Sequence, residues 1–367
     1  MTVAPEWARK IAAEFGFVCG VPDSSLAAVA ALWRGSASTA VICPDEGSAV
    51  ALAAGWAMAT HGGCPLVFMQ NSGLPNALNP LMTLTHPAVQ SVPLVLLVGL
   101  RGWPGDEPQH QVTGRGTQTM LQAAEIPSRI CNDDLDSLRL ALMAGRDEAT
   151  ALKSPVAVLV TRSASSRPES AVIGGRSTQS WTSDEAVRVA LDCAPVGAVV
   201  VSSTGFNTRY VHAYRTAHPG RFDEYVYCVG SMGHAGSVAQ GIARARPAAR
   251  VICLDGDGGA LMHMGSMLMA GWPPLRNYVH VIVNNGSHES VGGGDTLARE
   301  FSFATVVDAD RWTTGSFEGP LSSVASLTSL LVAKGPVIVE LLARPAFGPP
   351  PSRPGSPFAS LHTSANG

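Results

Sequence analysis

The sequence predicts an α/β protein built from two doubly wound parallel-sheet domains. Three observations lead there. Short, continuously apolar runs rich in β-branched residues alternate with helix-like stretches, the pattern of parallel strands covered on both faces. Hydrophobic residues make up 46% of the 367 and charged residues 14%, against about 25% charged in an ordinary soluble domain. A stretch without apolar period and rich in Ser, Gly, Arg and Thr, Ser163–Ser183, separates two halves of similar size. The expected boundaries are residues 1–165, a linker over 166–182, residues 183–345, and a Pro/Ser/Gly-rich tail over 346–367.

In the first half the expected strands are Phe17–Cys19, Ala40–Cys43, Pro65–Met69, Pro93–Val98 and Val156–Val160. Ser24–Trp33 and Gly47–Thr60 read as helices between them. The second half repeats the scheme with strands Ala198–Ser202, Val251–Leu254, Val279–Val283 and Val337–Leu341. Its helix-like stretches are Ser183–Leu191, Gly233–Ala245 and Leu261–Ala270.

Composition excludes several classes. A net charge of −3, with Lys10, Lys153 and Lys334 the only lysines and no basic cluster, excludes a nucleic-acid binder. The apolar run Val92–Leu100 is far short of a membrane span, and the first residues hold no apolar signal core. Seven scattered cysteines without a CxxC are expected to be reduced in a cytoplasmic chain. The shortage of surface charge points to a buried oligomer interface.

Two strand ends in the second half carry the sharpest signal. One runs into Asp255-Gly256-Asp257-Gly258-Gly259, the other into Asn284-Asn285-Gly286-Ser287, with 25 residues between GDG and NN. Ligands of open α/β sheets bind at such ends. Glycines admit backbone N–H groups to a phosphate, and a helix N-terminus favours the anion. Asp257 offers an anionic oxygen and Asn285 a neutral one; with a backbone carbonyl, assigned to Ser287, they make an Mg²⁺ site. In the first half, Glu46 follows a strand and opens an Ala/Gly-rich helix. By itself this is also an ordinary N-terminal acid.

Together the two patterns resemble thiamine diphosphate (ThDP) enzymes. The segments Gly20-Val21-Pro22-Asp23-Ser24, DEGSAVALAAGWAMAT, FMQNSGLPNALNPLMTLT, DEPQHQVTGRGTQ, VGSMGHAGSVAQGIA, GDGGALMHMGSM and VNNGSHESVGG narrow the resemblance to the phosphonopyruvate decarboxylase family. The sulfopyruvate decarboxylases are similar, less closely. The resemblance implies two ThDP-binding domains, a pyrimidine-binding one and then a diphosphate-binding one. It implies decarboxylation of 3-phosphonopyruvate to 2-phosphonoacetaldehyde, in phosphonate natural-product biosynthesis, by a homodimer or higher homo-oligomer with active sites at the interface. The alternatives are a sulfopyruvate decarboxylase and a ThDP-dependent carboligase of the acetolactate-synthase type.

The same resemblance implies roles for single residues. Glu46 would contact N1′ of the aminopyrimidine. Met232, after Ser231, would hold the bent cofactor, and the Gly230 carbonyl would accept from its amino group. Ser203-Thr204-Gly205 would form a second diphosphate turn, while Gly256, Gly258 and Gly259 line the first. Ser24 or Asp23 would act on the substrate, though Ser24 also reads as a helix N-cap. His110, on an expected loop between Arg101 and Arg115, is a candidate proton donor or anion partner. Asn71, Ser72, Arg115 and His288, with Glu289 beside it, are candidate substrate or supporting contacts. Core packing is the alternative for Met232, and solvated surface the alternative for His110 and the arginines.

Overall fold

The computed structural model describes residues 6–23, 25–26, 40–60, 63–104, 106–132, 134–161, 181–319, 324–346 and 349–354. Ser24 and most of the expected helix Ser24–Trp33 lie outside these residues, as do most of the linker and of the tail. The chain divides into two compact units, Met1–Ile173 with Ser290–Asp295, and Gly174–Glu289 with Thr296–Gly367.

The first unit runs α1 (Glu6–Phe15), β1 (Val18–Gly20), β2 (Val41–Ile42), α2 (Glu46–Ala59), β3 (Leu66–Gln70), α3 (Leu74–Pro80) and β4 (Leu94–Leu100). It continues with α4 (Pro108–Ala123), β5 (Ser128–Asn132), α5 (Leu135–Leu152) and β6 (Pro155–Thr161). The strands form one sheet in the order β2-β1-β3-β4-β6-β5, with every pairing parallel. The two-residue period of the strands sorts the core. Leu66, Phe68, Val95, Leu97, Val156 and Val158 face Ile11, Phe15, Leu138 and Leu142 of α1 and α5. Val67, Met69, Leu94, Leu96, Val98 and Leu159 face α2, α3 and α4 through Ala49, Ala53, Leu74 and Leu121.

The second unit runs β7 (Trp181–Thr182), α6 (Ser183–Cys193), β8 (Val199–Ser202), α7 (Phe206–Ala217), β9 (Glu224–Tyr227), α8 (Ala235–Ala245) and β10 (Val251–Gly256). It continues with α9 (Asp257–Met262), α10 (Met264–Met267), β11 (Tyr278–Asn284), β12 (Thr313–Phe317), α11 (Val324–Val332) and β13 (Val337–Arg344). Its sheet order is β12-β13-β11-β10-β8-β9, again all parallel. Val200, Ile252, Val281 and Val339 pack under α6, α7 and α11. Val201, Val251, Tyr278 and Ile282 pack under α8.

In both sheets consecutive crossovers leave one strand in opposite directions, between β1 and β3 in the first and between β8 and β10 in the second. Strand ends at such a reversal open a crevice between the loops that leave in opposite directions. The first crevice holds Gly20–Asp23 against Gln70, and the second holds Ser203–Gly205 against Gly256–Gly259.

Three strands that the apolar runs did not signal are β5, β9 and β12. All three border a sheet. Their residues alternate in burial or stay half exposed, so no continuous apolar run marks them. Trp181–Thr182, assigned to the linker, instead pairs with Ala343–Arg344 at the end of β13. The expected helix Leu261–Ala270 starts earlier, at Asp257, and breaks at His263. His110 belongs to the first turn of α4 rather than to a loop. The polar sequence of that helix hides its period, while Pro108 at its start suits a first turn.

Leu97 is fully buried at the centre of β4. Leu97→Ala is expected to destabilise the first unit by about 2–5 kcal/mol, read from urea unfolding. A loss below about 1 kcal/mol would contradict the packing described.

Candidate active site

In the first unit, Asp45 caps α2 by accepting from the Ser48 N–H at 2.9 Å, which puts Glu46 at the first helical position. Glu46 is nevertheless buried, so it is not the solvated N-terminal acid of the alternative reading. Its Oε2 accepts from Asn76 Nδ2 at 2.9 Å. Burial pushes its carboxyl up, helped by the charges of Asp45 and Asp23, against the pull of Asn76. Gly73 explains how the carboxylate fits, since any Cβ there would collide with it.

Asp23 lies across the strand reversal. Its carboxylate accepts from the Ser25 N–H at 3.0 Å, from the Ser25 hydroxyl, and from Gln70 Nε2 at 2.5 Å. Ser72, which is exposed, donates to Gln70 Oε1 at 2.7 Å and so joins this network at second hand. Burial also pushes the Asp23 carboxyl up, although Ser25, Gln70 and the Arg101 charge oppose it.

The expected anion-binding loop is arranged differently. The Arg101 guanidinium is held by Asp106 at 2.9 and 2.6 Å and by Glu107 at 3.1 Å. Its charge is therefore already compensated. Arg115 is exposed on α4. The Nδ1 atom of His110 is buried without a hydrogen-bond partner. Burial and the neighbouring Arg101 charge bring its pKa down to about 4, so the ring is uncharged at neutral pH. Asn71 is also committed elsewhere. Its amide donates to the Arg101 carbonyl and to Thr117, both at 2.9 Å, and accepts from the Arg101 N–H at 3.1 Å. It ties the end of β3 to the end of β4 and to α4, with both amide hydrogens used, which corrects its expected role as a substrate donor.

In the second unit the two turns meet across the reversal. The Gly256 N–H donates to Ser203 Oγ at 3.3 Å, and Thr204 Oγ1 donates to the Val229 carbonyl at 2.8 Å. Asp255, just before GDG, accepts from the Gly256 N–H at 2.9 Å and stands 3.4 Å from His280. Ser231 adopts a left-handed φ of 51°, a strained state for a non-glycine residue, and Met232 follows it. Gly258 lies beneath both Met232 and His288. A Cβ there would stand 3.0 Å from the His288 ring and 3.7 Å from the Met232 methyl. Burial brings the pKa of His288 down to about 4.

Asp257 is buried between the turn and the Asn-Asn loop. It accepts from the Gly258 N–H at 2.9 Å, the Gly286 N–H at 3.0 Å and Thr296 Oγ1 at 2.6 Å. Asn284 is spent on structure, donating to Glu340 at 2.7 Å and to the Ala298 carbonyl at 3.0 Å. Asn285 donates to Ser183 Oγ at 3.0 Å and Glu289 Oε2 at 2.7 Å, while its Oδ1 accepts from the Ser287 N–H at 2.9 Å. A carboxylate, an amide oxygen and loop carbonyls form a hard, all-oxygen donor set, which fits Mg²⁺. Gln70, Gly73 and Asn76 were not singled out in the sequence, although all three stand in the quoted FMQNSGLPN stretch. Ser183 and Thr296 had no local signal.

Comparisons with known proteins give the family. The family model "Thiamine pyrophosphate enzyme, N-terminal TPP binding domain" matches residues 3–124. The model "Thiamine pyrophosphate enzyme, C-terminal TPP binding domain" matches residues 203–318. A phosphonopyruvate decarboxylase of Streptomyces viridochromogenes is 32% identical over 346 residues, covering 89% of this chain and 85% of that protein. One from Streptomyces hygroscopicus is 32% identical over 359 residues, covering 92% and 87%. The sulfopyruvate decarboxylase subunit beta of Methanothermobacter thermautotrophicus is 28% identical over 147 residues, covering 40% of this chain and 74% of that subunit. Among solved structures, a thiamine diphosphate-dependent 4-hydroxybenzoylformate decarboxylase of Rhodococcus jostii RHA1 is 13% identical, covering 94% of this chain and 100% of that one, with a TM-score of 0.39.

The contact between Gly73 and Glu46 is testable without any ligand. Gly73→Ala is expected to cost about 1–3 kcal/mol of unfolding free energy by overpacking. In a Glu46→Ala background the same substitution should cost less, because the colliding carboxylate is gone. Equal costs in the two backgrounds would place Glu46 elsewhere.

Proposed function

The chain belongs to the phosphonopyruvate decarboxylase family of thiamine pyrophosphate enzymes, and on that premise we propose that it converts 3-phosphonopyruvate to 2-phosphonoacetaldehyde and CO₂ in phosphonate natural-product biosynthesis. The observation that carries the reading is Glu46, a carboxyl buried at a helix start and shifted toward neutral pH. A buried carboxyl of this kind suits sharing a proton with a ring nitrogen. When bound, thiamine diphosphate supplies the electron sink for loss of CO₂ from a 2-oxoacid.

The roles of this chain's residues follow. Glu46, fixed by Asn76 and Gly73, would hold a proton at the aminopyrimidine N1′. Gly256, Gly258 and Gly259, with Ser203, Thr204 and Gly205, would present backbone and hydroxyl donors to the diphosphate. Asp257, Asn285 and the Ser287 carbonyl would hold Mg²⁺. Met232, with Gly230 and Ser231 before it, would support the bent cofactor from the segment above Gly258. Asp23, Ser72, His110, Arg115 and His288 are the proposed substrate-side residues. Ser24, outside the described residues, stays in this set on sequence alone.

We propose a homodimer or larger homo-oligomer in the cytoplasm, with active sites at the subunit interface. None of the seven cysteines is joined in a disulfide, and among the described residues no helix is long and apolar enough to cross a membrane.

Two outcomes are expected. Glu46→Gln should lower kcat by about 10²–10⁴-fold, the usual worth of a positioned proton-transfer group, while ThDP affinity changes only a few-fold. Turnover of phosphonopyruvate, sulfopyruvate and pyruvate should be measured side by side in the wild type. Near-normal turnover by the variant would remove Glu46 from the chemistry, and faster turnover of sulfopyruvate would replace the substrate.

The interface reading has its own check. Inactive Glu46→Gln chains mixed with inactive Asp257→Ala chains should regain activity, because one face of each hybrid dimer combines two intact halves. A fully active monomer in sedimentation would overturn it.

A further inference from the structure

Glu289 follows the Asn-Asn loop and is half-buried at the meeting point of four segments. Its Oε2 accepts from Asn285 Nδ2 at 2.7 Å and from Ser183 Oγ at 2.8 Å. Its Oε1 accepts from the Ala346 N–H at 2.8 Å, with the Tyr210 hydroxyl at 3.5 Å. Every neighbour is a donor, so the carboxylate serves as an acceptor on both oxygens.

We infer that Glu289 is a positioning residue that decides which end of the Asn285 amide faces the cation. This rests on the reading of Asn285 as a metal ligand. An Asn side chain is nearly symmetric in shape, and only its hydrogen-bond partners tell oxygen from nitrogen. A carboxylate against one end rejects the amide oxygen there and binds the NH₂ group. The Asn285 oxygen is thereby turned the other way, where it accepts from the Ser287 N–H at 2.9 Å and keeps a lone pair for a metal. Outer groups of this kind orient metal ligands and commonly set metal affinity.

Glu289→Gln tests the idea sharply. The Ala346 N–H is backbone and cannot turn, so the Gln oxygen must stay with it. The Gln NH₂ then faces the Asn285 NH₂, and the Asn285 amide must either keep that contact or rotate and set its NH₂ against the Ser287 N–H; either way its oxygen is held less well toward the cation site. The full-length protein loaded with ThDP is titrated with Mg²⁺ by calorimetry, and the melting temperature of the metal-free protein is recorded in EDTA. The expected result is an Mg²⁺ Kd raised about 10–100-fold, with metal-free melting close to wild type. A Kd within about two-fold of wild type, or a fall in melting temperature with unchanged Mg²⁺ affinity, overturns the inference.

Asn285→Ala separates the two levels of argument. If it weakens Mg²⁺ binding while Glu289→Gln does not, the positioning role fails and the ligand assignment stands. If Asn285→Ala leaves Mg²⁺ affinity unchanged, the ligand assignment itself fails.

Discussion

Asp257 carries a buried carboxylate between two strand ends, and that group dictates what can surround it. A buried charge is costly unless it is paired or hydrogen-bonded. Here three donors meet it, from its own turn, from the Gly286 backbone and from Thr296. Each donor pins a different piece of chain. The GDG turn, the Asn-Asn loop and the residues around 296 are therefore set against one another by a single side chain. These three donors are uncharged. A small cation held there, as we propose, would add a charge partner to the hydrogen bonds that burial demands.

The first unit buries two acids as well. Desolvation outweighs the donors around Asp23 and Glu46 and raises both carboxyls, and the Asp23 charge adds to the rise of Glu46. The result is a pair of carboxyls raised above their usual range. The Arg101 guanidinium pairs with Asp106 and Glu107, and its charge still pulls Asp23 down in part. Asn71 keeps that loop attached to β3 and α4.

How much of this was legible in the sequence follows from what each residue needs. Central strands were legible because burial on both faces forces a continuous apolar run, as in Leu94–Val98. The edge strands β5, β9 and β12 were not, because one side meets solvent and the run is broken. Asp257 and Asn285 were singled out through the spacing of their turns, since loops at strand ends that approach a ligand leave glycines at fixed offsets from a strand. The partners of those residues were harder. Ser183 sits 102 residues from Asn285, and nothing local in its sequence announces that contact. His110 was misplaced because a polar, glycine-containing helix has no apolar period to show. The commitment of Arg101 to Asp106 could have been suspected from their closeness in sequence, but only the geometry shows both guanidinium bonds.

Proton balance then discriminates between the remaining acids. Loss of CO₂ from a 2-oxoacid anion leaves the aldehyde one proton short, so each turnover must take up a proton at the reacting carbon. The group that delivers it must hold a proton near neutral pH and release it readily. His110 and His288 are described poorly by that requirement. Their pKa values near 4 leave both rings neutral at pH 7, able to donate one N–H hydrogen bond but not to lend an extra proton. An anionic head group close by would shift them upward again, which suits a binding role better than a delivery role. Burial raises the carboxyls of Asp23 and Glu46 above their usual range. If Glu46 is occupied by the cofactor ring, as we propose, Asp23 is the other buried, raised carboxyl of the first unit among the described residues. It lies at the crevice, linked by Gln70 to the exposed Ser72. On the proposed reading of Asp23 as a substrate-side residue, the burial that makes it costly to ionise also suits it to supply the proton.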